Sequence, residues 1–181
     1  MPALLAELRA YLAGSPMRGL LLEGLIPQEW AAGMRERVRP LLRPHMVADR
    51  GKYLFDETHD EPEVVRGMTA LASDIVEASL IPRRRRWTRM AHGDYAMYKD
   101  DVLVWDGLDR HYEMVLDFSE TATVDGHVAW SSGDHLLWMP QVPLCGALVD
   151  RRRKVMRYDR YVTHRVETAE IFRLSLALEV A

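Results

Sequence analysis

Apolar residues recur at helical spacing in three stretches of the first half of the chain. Leucines repeat every three or four residues until Gly14-Ser15-Pro16 ends the first stretch. The stretch 27–42 begins with proline at a first-turn position, and the stretch 62–80 carries a broad apolar stripe before Pro82. We therefore predict that residues 1–82 are mainly helical.

The apolar pattern changes from a period near 3.6 to a period near 2 from Trp87 onward. Short alternating runs follow one another, separated by turn-like stretches such as 123–126 and 131–134. This pattern predicts an α+β fold in one domain, in which residues 83–181 form an antiparallel barrel or sandwich. The helical residues 1–82 are expected to pack on its outside.

The last run, residues 171–180, alternates strictly between two kinds of side chain. Phenylalanine and leucine occupy the even positions 172 to 178, whereas Arg173 and Ser175 lie on the opposite face with Ala177. A fixed cation and a hydroxyl two residues apart suit a carboxylate ligand inside a barrel mouth. The alternative is an arginine that faces solvent from a half-exposed strand.

Composition and charge narrow the class of protein. The chain has 181 residues, of which 48% are hydrophobic and 28% charged, and its net charge of −3 does not suggest affinity for nucleic acid. Glu7 and Arg9 interrupt the first apolar run, which argues against a signal peptide, and no uncharged stretch approaches a membrane span. A single cysteine, Cys145, excludes an intrachain disulfide. We predict a cytoplasmic protein without membrane partners.

Two basic runs, Arg83–Arg86 and Arg151–Lys154, interrupt this near-neutral background. Each follows an apolar segment and precedes a strand-like one, where exposed turns are common. We interpret both runs as solvated loops. Contact with a polyanion or an acidic partner is the alternative.

Three motifs carry a resemblance to a known family: GDYAMYKDD at 93–101, HYEMVLDFS at 111–119 and THRVETAEIFRLSLAL at 163–178. Together they resemble the prolyl-hydroxylase-like branch of the iron(II)- and 2-oxoglutarate-dependent dioxygenases. The resemblance implies a double-stranded β-helix, or jelly roll, preceded by helices. It also implies two cofactors, Fe(II) held by two histidines and one carboxylate, and 2-oxoglutarate.

The resemblance is most specific at the C-terminal end. His164 stands at the family's second metal histidine, and Arg173, nine residues later, stands where an arginine binds the distal carboxylate of 2-oxoglutarate. Ser175 completes an Arg-x-Ser pair that matches a cosubstrate motif in some of these enzymes. The resemblance thus implies that His164 binds metal and that Arg173 and Ser175 bind the cosubstrate.

The first metal motif departs from the family pattern. Alignment of Gly93-Asp94-Tyr95 with the family's Gly-x-Tyr places Lys99 at the first metal histidine, a catalytic position, and Asp101 at the metal aspartate. A lysine ammonium has no lone pair to give a metal. We expect its charge to lie near Asp101 instead. The alternative register keeps the literal His92-x-Asp94 pair as metal ligands on one strand face. It then overlaps the Gly-x-Tyr stretch, which in the family precedes the ligands.

Two functions follow from these residues. One is a 2-oxoglutarate- and iron(II)-dependent oxygenase that hydroxylates a small molecule or an amino-acid side chain, provided that the metal site works. The other is a catalytically degenerate relative that acts as a ligand- or protein-binding module. His164, Arg173 and Ser175 favour the first function, whereas Lys99 favours the second.

Overall fold

The computed structural model describes residues 2–98, 101, 111–152, 154–162 and 170–181. It contains the three predicted helices: α1 (Pro2–Gly14), α2 (Gln28–Val38) and α3 (Pro62–Val76). A short 3-10 turn, Arg39–Leu41, follows α2. In the part of the chain that the structure describes, no helix is both long and apolar enough to cross a membrane.

Eleven strands form one continuous, almost entirely antiparallel-paired sheet that curls into a nearly closed barrel. The strands are β1 (Gly19–Leu22), β2 (Arg43–Val47), β3 (Gly51–Asp56), β4 (Leu80–Met90), β5 (Tyr95–Ala96), β6 (Tyr112–Asp117), β7 (Thr123–Ser132), β8 (His135–Gln141), β9 (Gly146–Asp150), β10 (Met156–Asp159) and β11 (Ile171–Val180). Their order is β1-β9-β6-β11-β4-β3-β5-β10-β7-β8, and β2 pairs with β3. The predicted α+β class is therefore observed.

The predicted division of the chain at Pro82 is wrong in detail. Four strands begin within the first 82 residues, and Pro82 itself lies inside β4. Strand β1 has only four residues, GLLL, which is too short to show a period. Strand β2 contains a proline and is mostly exposed, so it lacks the apolar alternation that marks a half-buried strand.

The strict alternation in β11 separates two sides of the barrel wall. Its even positions, from Phe172 to Leu178, belong to a core that also contains buried side chains of all three helices. Its odd positions, Arg173 and Ser175, are also buried, but they face the barrel interior with Glu113 and Asp117 of the neighbouring strand β6. The helices thus cover the outside of the wall that carries the candidate site.

The barrel interior is apolar at one end and charged at the other. A second core lies inside the barrel, between the β7-β8 hairpin and strands β6 and β9. It includes Val115, Trp130, Met139 and Val149. Charged side chains of β6, β10 and β11 fill the remaining space. This charged part of the interior contains the predicted cosubstrate residues.

Candidate functional site

The structure brings together three of the five residues singled out for the site. Asp101, Arg173 and Ser175 are all buried, at 5%, 1% and 6% exposure respectively. Asp101 and Ser175 line the same small cavity in the barrel interior. Lys99 and His164 lie outside the described residues.

Arg173 already contacts two carboxylates of the protein itself. Its Nη1 donates to Asp159 at 2.9 Å, and its Nε donates to Asp117 at 3.3 Å. Asp117 also accepts a hydrogen bond from the backbone N–H of Ser119. Strand pairing explains the contact with Asp117, because Arg173 and Asp117 are register partners on the same face of β11 and β6.

Asp101 is also paired, and its partner is an arginine that the sequence analysis assigned to a loop. Nη2 of Arg151 donates to Asp101 at 2.5 Å, and Nη1 of the same guanidinium donates to Glu113 at 2.7 Å. Glu113 accepts a further hydrogen bond from the indole N–H of Trp130 at 2.8 Å. Because both arginine and aspartate are almost completely buried, water does not weaken this ion pair.

Arg157 links these two groups of ions. Its Nη1 donates to Glu113 and, at 3.0 Å, to the hydroxyl of Ser175, while its Nη2 contacts Asp159 at 3.2 Å. The result is one continuous series, which we call the buried charge chain. Its members in order of contact are Asp101, Arg151, Glu113, Arg157, Asp159, Arg173 and Asp117.

The electrostatics of the chain differ between its centre and its ends. Burial alone would raise the pKa of Glu113, but Arg157 and Arg151 outweigh burial and lower that pKa. At the two ends, burial raises the pKa of Asp101 and of Asp117, and their arginine partners offset it only in part. The central carboxylate is therefore held ionised, and the ends take up a proton more readily.

The cavity beside the Asp101 end of the charge chain is small. The cavity that Asp101, Arg157 and Ser175 line has a volume of about 30 Å³. This is room for one or two water molecules and far less than a typical ligand pocket of roughly 300–1,000 Å³. A molecule of the size of 2-oxoglutarate enters only if these side chains move.

The literal His92-x-Asp94 pair lies in a turn between β4 and β5, not on a strand face as expected. Gly93 has a φ of +85°, a left-handed conformation that glycine adopts without strain. The Asp94 carboxylate accepts a hydrogen bond from the N–H of Ala91, which closes the turn, and it contacts Lys52 at 3.5 Å. This carboxylate therefore has a structural use, and His92 is exposed.

The interpretation of the basic runs as solvated loops is wrong for the first run and for Arg151 of the second. Arg83–Arg86 lies within β4, where Arg84 and Arg86 both contact Glu57. In the second run, Arg151 is 1% exposed and belongs to the charge chain. Runs of arginine look like surface in a sequence, but here acidic partners from distant segments pair with Arg84, Arg86 and Arg151.

Several members of the charge chain were missed in the sequence analysis. A usable signal exists for two of them: Glu113 and Asp117 occupy alternate positions of the otherwise apolar run HYEMVLDFS. Alternation in a buried strand places both carboxylates on the face that Arg173 shares. No comparable signal marks Arg157 or Asp159. These residues of β10 contact Glu113 and Arg173 from the other side of the barrel.

The described residues do not fit the metal and cosubstrate that the resemblance implies. Among them, no group of three or more histidine, cysteine, aspartate or glutamate side chains is arranged to hold a metal ion. Asp101 is engaged by Arg151, and Arg173 is engaged by two carboxylates. Binding of 2-oxoglutarate by Arg173 would require its ion pairs with Asp117 and Asp159 to break.

Solved structures with the same arrangement of helices and strands are oxygenases. A prolyl-4-hydroxylase from Pseudomonas putida matches with a TM-score of 0.70 and 14% identity, covering 98% of this chain and 99% of the other. A 2OG-Fe(II) oxygenase family oxidoreductase from Burkholderia pseudomallei matches with a TM-score of 0.72 and 10% identity, covering 97% and 90%. A prolyl hydroxylase from Trichoplax adhaerens, bound to a hypoxia inducible factor peptide, matches with a TM-score of 0.67 and 8% identity, covering 97% and 89%.

These likenesses show a shared fold over nearly the whole chain. They support the predicted double-stranded β-helix fold. No protein-family profile matches the sequence, and no curated protein matches it significantly. At such low identities the shared fold does not extend to activity.

Proposed function

We propose that this chain is a catalytically degenerate relative of the 2-oxoglutarate- and iron(II)-dependent oxygenases and acts as a ligand- or protein-binding module. One observation carries the proposal: the guanidinium of Arg173, the cosubstrate arginine of the resemblance, is buried between the carboxylates of Asp117 and Asp159. These two carboxylates take the place of the ligand that the family's arginine would bind.

Charge balance supports this proposal. The buried charge chain contains four carboxylates and three guanidinium groups. A dicarboxylate that entered would add negative charge beside this chain, in which, among the described residues, four carboxylates share three guanidinium groups. Since an unpaired buried charge costs several kcal/mol, 2-oxoglutarate binding at Arg173 is disfavoured.

The sequence at the metal position supports it as well. The preferred alignment places Lys99 where the family has a histidine, and an ammonium is not a metal ligand. Asp101, at the position of the metal aspartate, keeps a cationic partner in Arg151. On this proposal, a permanent ion pair substitutes for the charge that a divalent metal would contribute.

An active oxygenase is the second candidate, and specific observations favour it. Asp101 and Ser175 line one cavity, and Arg173 lies on the inward face of a barrel with the oxygenase fold. Its substrate would be a small molecule or an amino-acid side chain; one structural relative was solved with a bound peptide. A cytoplasmic location without membrane or nucleic-acid partners stays a prediction from the sequence.

Calorimetry and turnover under defined conditions distinguish the two candidates. Native protein, titrated anaerobically with iron(II), is expected to bind it weakly, and 2-oxoglutarate is expected to leave the Tm unchanged. Lys99→His is expected to strengthen iron(II) binding because it adds a nitrogen ligand beside Asp101 and His164. It is not expected to restore conversion of 2-oxoglutarate to succinate, because Arg173 remains paired.

His92→Ala is the matched control, because it removes the histidine of the alternative register. It should leave the weak iron(II) binding of the native protein unchanged. Tight iron(II) binding by native protein together with succinate formation would refute the degenerate assignment in favour of the oxygenase. Tight binding that His92→Ala abolishes would also return the metal site to the literal His-x-Asp pair.

A further inference from the structure

A second concave site lies on the opposite side of the β7-β8 hairpin from the barrel interior. Met139 of β8 points into the apolar core, and the adjacent Trp138 is 49% exposed on the other face. A cleft of about 390 Å³ opens beside this tryptophan. Its lining includes His127, Trp138, Pro140, Gln141, Val142 and Arg160.

The floor of the cleft is a pair of stacked rings. The imidazole of His127 and the indole of Trp138 lie nearly parallel, at 10°, with centroids 4.4 Å apart. His127 is only 6% exposed, so it supports the indole from one side and holds its orientation. The opposite face of the indole then offers a flat, fixed surface on which another planar ring can stack.

One wall of the cleft carries an unsatisfied hydrogen-bond acceptor. The side chain of Gln141 is 1% exposed, and its Nε2 donates to the carbonyl oxygens of Thr121 and Glu170. These two acceptors fix the orientation of the amide, so Oε1 faces away from them. Within the described part of the chain, no donor reaches Oε1. A buried carboxamide oxygen without a donor is destabilising, and a ligand N–H would offset that cost.

A cation stands at the other side of the cleft. The backbone N–H of Arg160 donates to the carbonyl of His127, which places this residue next to the stacked rings. The Arg160 side chain is exposed, and no carboxylate of the described residues forms an ion pair with it. This differs from the arginines of β4, which contact acidic side chains. Its guanidinium can therefore bind an anionic group of a ligand.

We propose that this cleft is a binding site for a small molecule that combines a planar ring bearing an N–H donor with an anionic group. The ring stacks on Trp138, the N–H donates to Oε1 of Gln141, and the anion pairs with Arg160. A nucleoside monophosphate and an indole carboxylate both have this chemistry. The site is outside the barrel interior and does not depend on whether the barrel binds iron or 2-oxoglutarate.

Binding is measured by calorimetry on the full chain with three probes: AMP, indole-3-acetate and ribose 5-phosphate. At least one of the two ring-bearing probes is expected to bind, and ribose 5-phosphate, which lacks the ring, is expected to bind about 10-fold more weakly. Which ring-bearing probe binds distinguishes a phosphate from a carboxylate ligand.

Three variants test the assignment of residues. Trp138→Leu is expected to weaken binding by about 10-fold or more through loss of stacking, and Arg160→Leu is expected to weaken it by roughly 3- to 10-fold. Trp30→Leu, which changes a tryptophan of similar exposure (45%) on α2, is the matched control and should leave binding unchanged. The proposal fails if neither ring-bearing probe binds at millimolar concentration, or if Trp138→Leu behaves like Trp30→Leu.

Discussion

At the scale of single residues, the proposed function depends most on Arg173. Its place on the inward face of β11 suits the binding of a ligand carboxylate. The side chain is 1% exposed and contacts Asp117 and Asp159. On the proposed function, this guanidinium is therefore a structural cation.

Arg173→Leu tests that role. The substitution leaves two buried carboxylates without this partner, so we expect a loss of about 3–5 kcal/mol in the free energy of unfolding, measured by urea denaturation. Arg83→Leu is the control, since Arg83 is 51% exposed and pairs with Glu179 at the surface. That change should cost less than about 1 kcal/mol. Equal effects of the two variants would contradict a structural role for Arg173.

The sequence predicts the direction of Arg173 but not its partners. Strict alternation in residues 171–180 is enough to place Arg173 and Ser175 on one face. Asp117 is accessible to the same reasoning once β6 and β11 are known to be neighbours. Asp159 approaches from the other side of the barrel, and a contact of that kind depends on closure of the whole sheet. Local pattern carries no information about it.

At the scale of the element, β4 is a strand whose arginines are neutralised by the turn that follows β3. Glu57 accepts hydrogen bonds from both Arg84 and Arg86, and Arg85 donates to the carbonyl of His59. Burial would raise the pKa of Glu57, but the two arginines outweigh it and lower the pKa below its usual value. The ionised carboxylate therefore contributes to the stability of this strand.

This lowered pKa predicts a pH dependence. Because the folded-state pKa of Glu57 is below the unfolded value, the unfolded chain binds the proton first as pH falls. The contribution of Glu57 is thus present above about pH 4.5 and lost as pH falls through the folded-state pKa. Glu57→Gln should lower stability at pH 7 and flatten the dependence of stability on pH between about pH 5 and 3, measured by urea denaturation. An unchanged slope would contradict the ionised pair.

Helices and strands of this chain differ in how well the sequence predicts them. The stripe in α3 extends over 15 residues, which is long enough for a period to emerge, and Pro62 starts it at a favourable position. The first four strands gave no such signal. Strand β4 combines a proline near its start with four consecutive arginines, so its apolar residues are not spaced as in a half-buried strand. Pairing with β11 and β3 decides its conformation.

At the scale of the whole molecule, Glu113 joins parts of the barrel that are far apart in sequence. Its carboxylate contacts Trp130 of β7, Arg151 at the end of β9 and Arg157 of β10. These contacts link β6, which lies in the wall that the helices cover, to β7 and β10 on the opposite side of the barrel. Loss of this one carboxylate should therefore affect the whole domain.

Glu113→Gln is expected to lower the free energy of unfolding by about 3–5 kcal/mol, because two buried guanidinium groups lose their shared anion. For a domain of this size that corresponds to a decrease in Tm of roughly 10 °C. Tryptophan fluorescence and far-UV circular dichroism should report the same midpoint in the native protein. Glu179→Gln, at a carboxylate that is 36% exposed, is the control and should change the Tm little. A small effect of Glu113→Gln would show that the charge chain does not hold the barrel together.

The buried charge chain also limits how this protein could change over evolutionary time. Each interior arginine contacts two carboxylates, so the substitution of any one of these arginines leaves two carboxylates without a shared cation. A lineage that regained a histidine at position 99 would still have Arg151 on Asp101 and two aspartates on Arg173. If the proposed function is correct, a metal-dependent site could form only through several coordinated substitutions, because each one changes the charge balance of its neighbours. Such interdependence would make the proposed degenerate state hard to reverse.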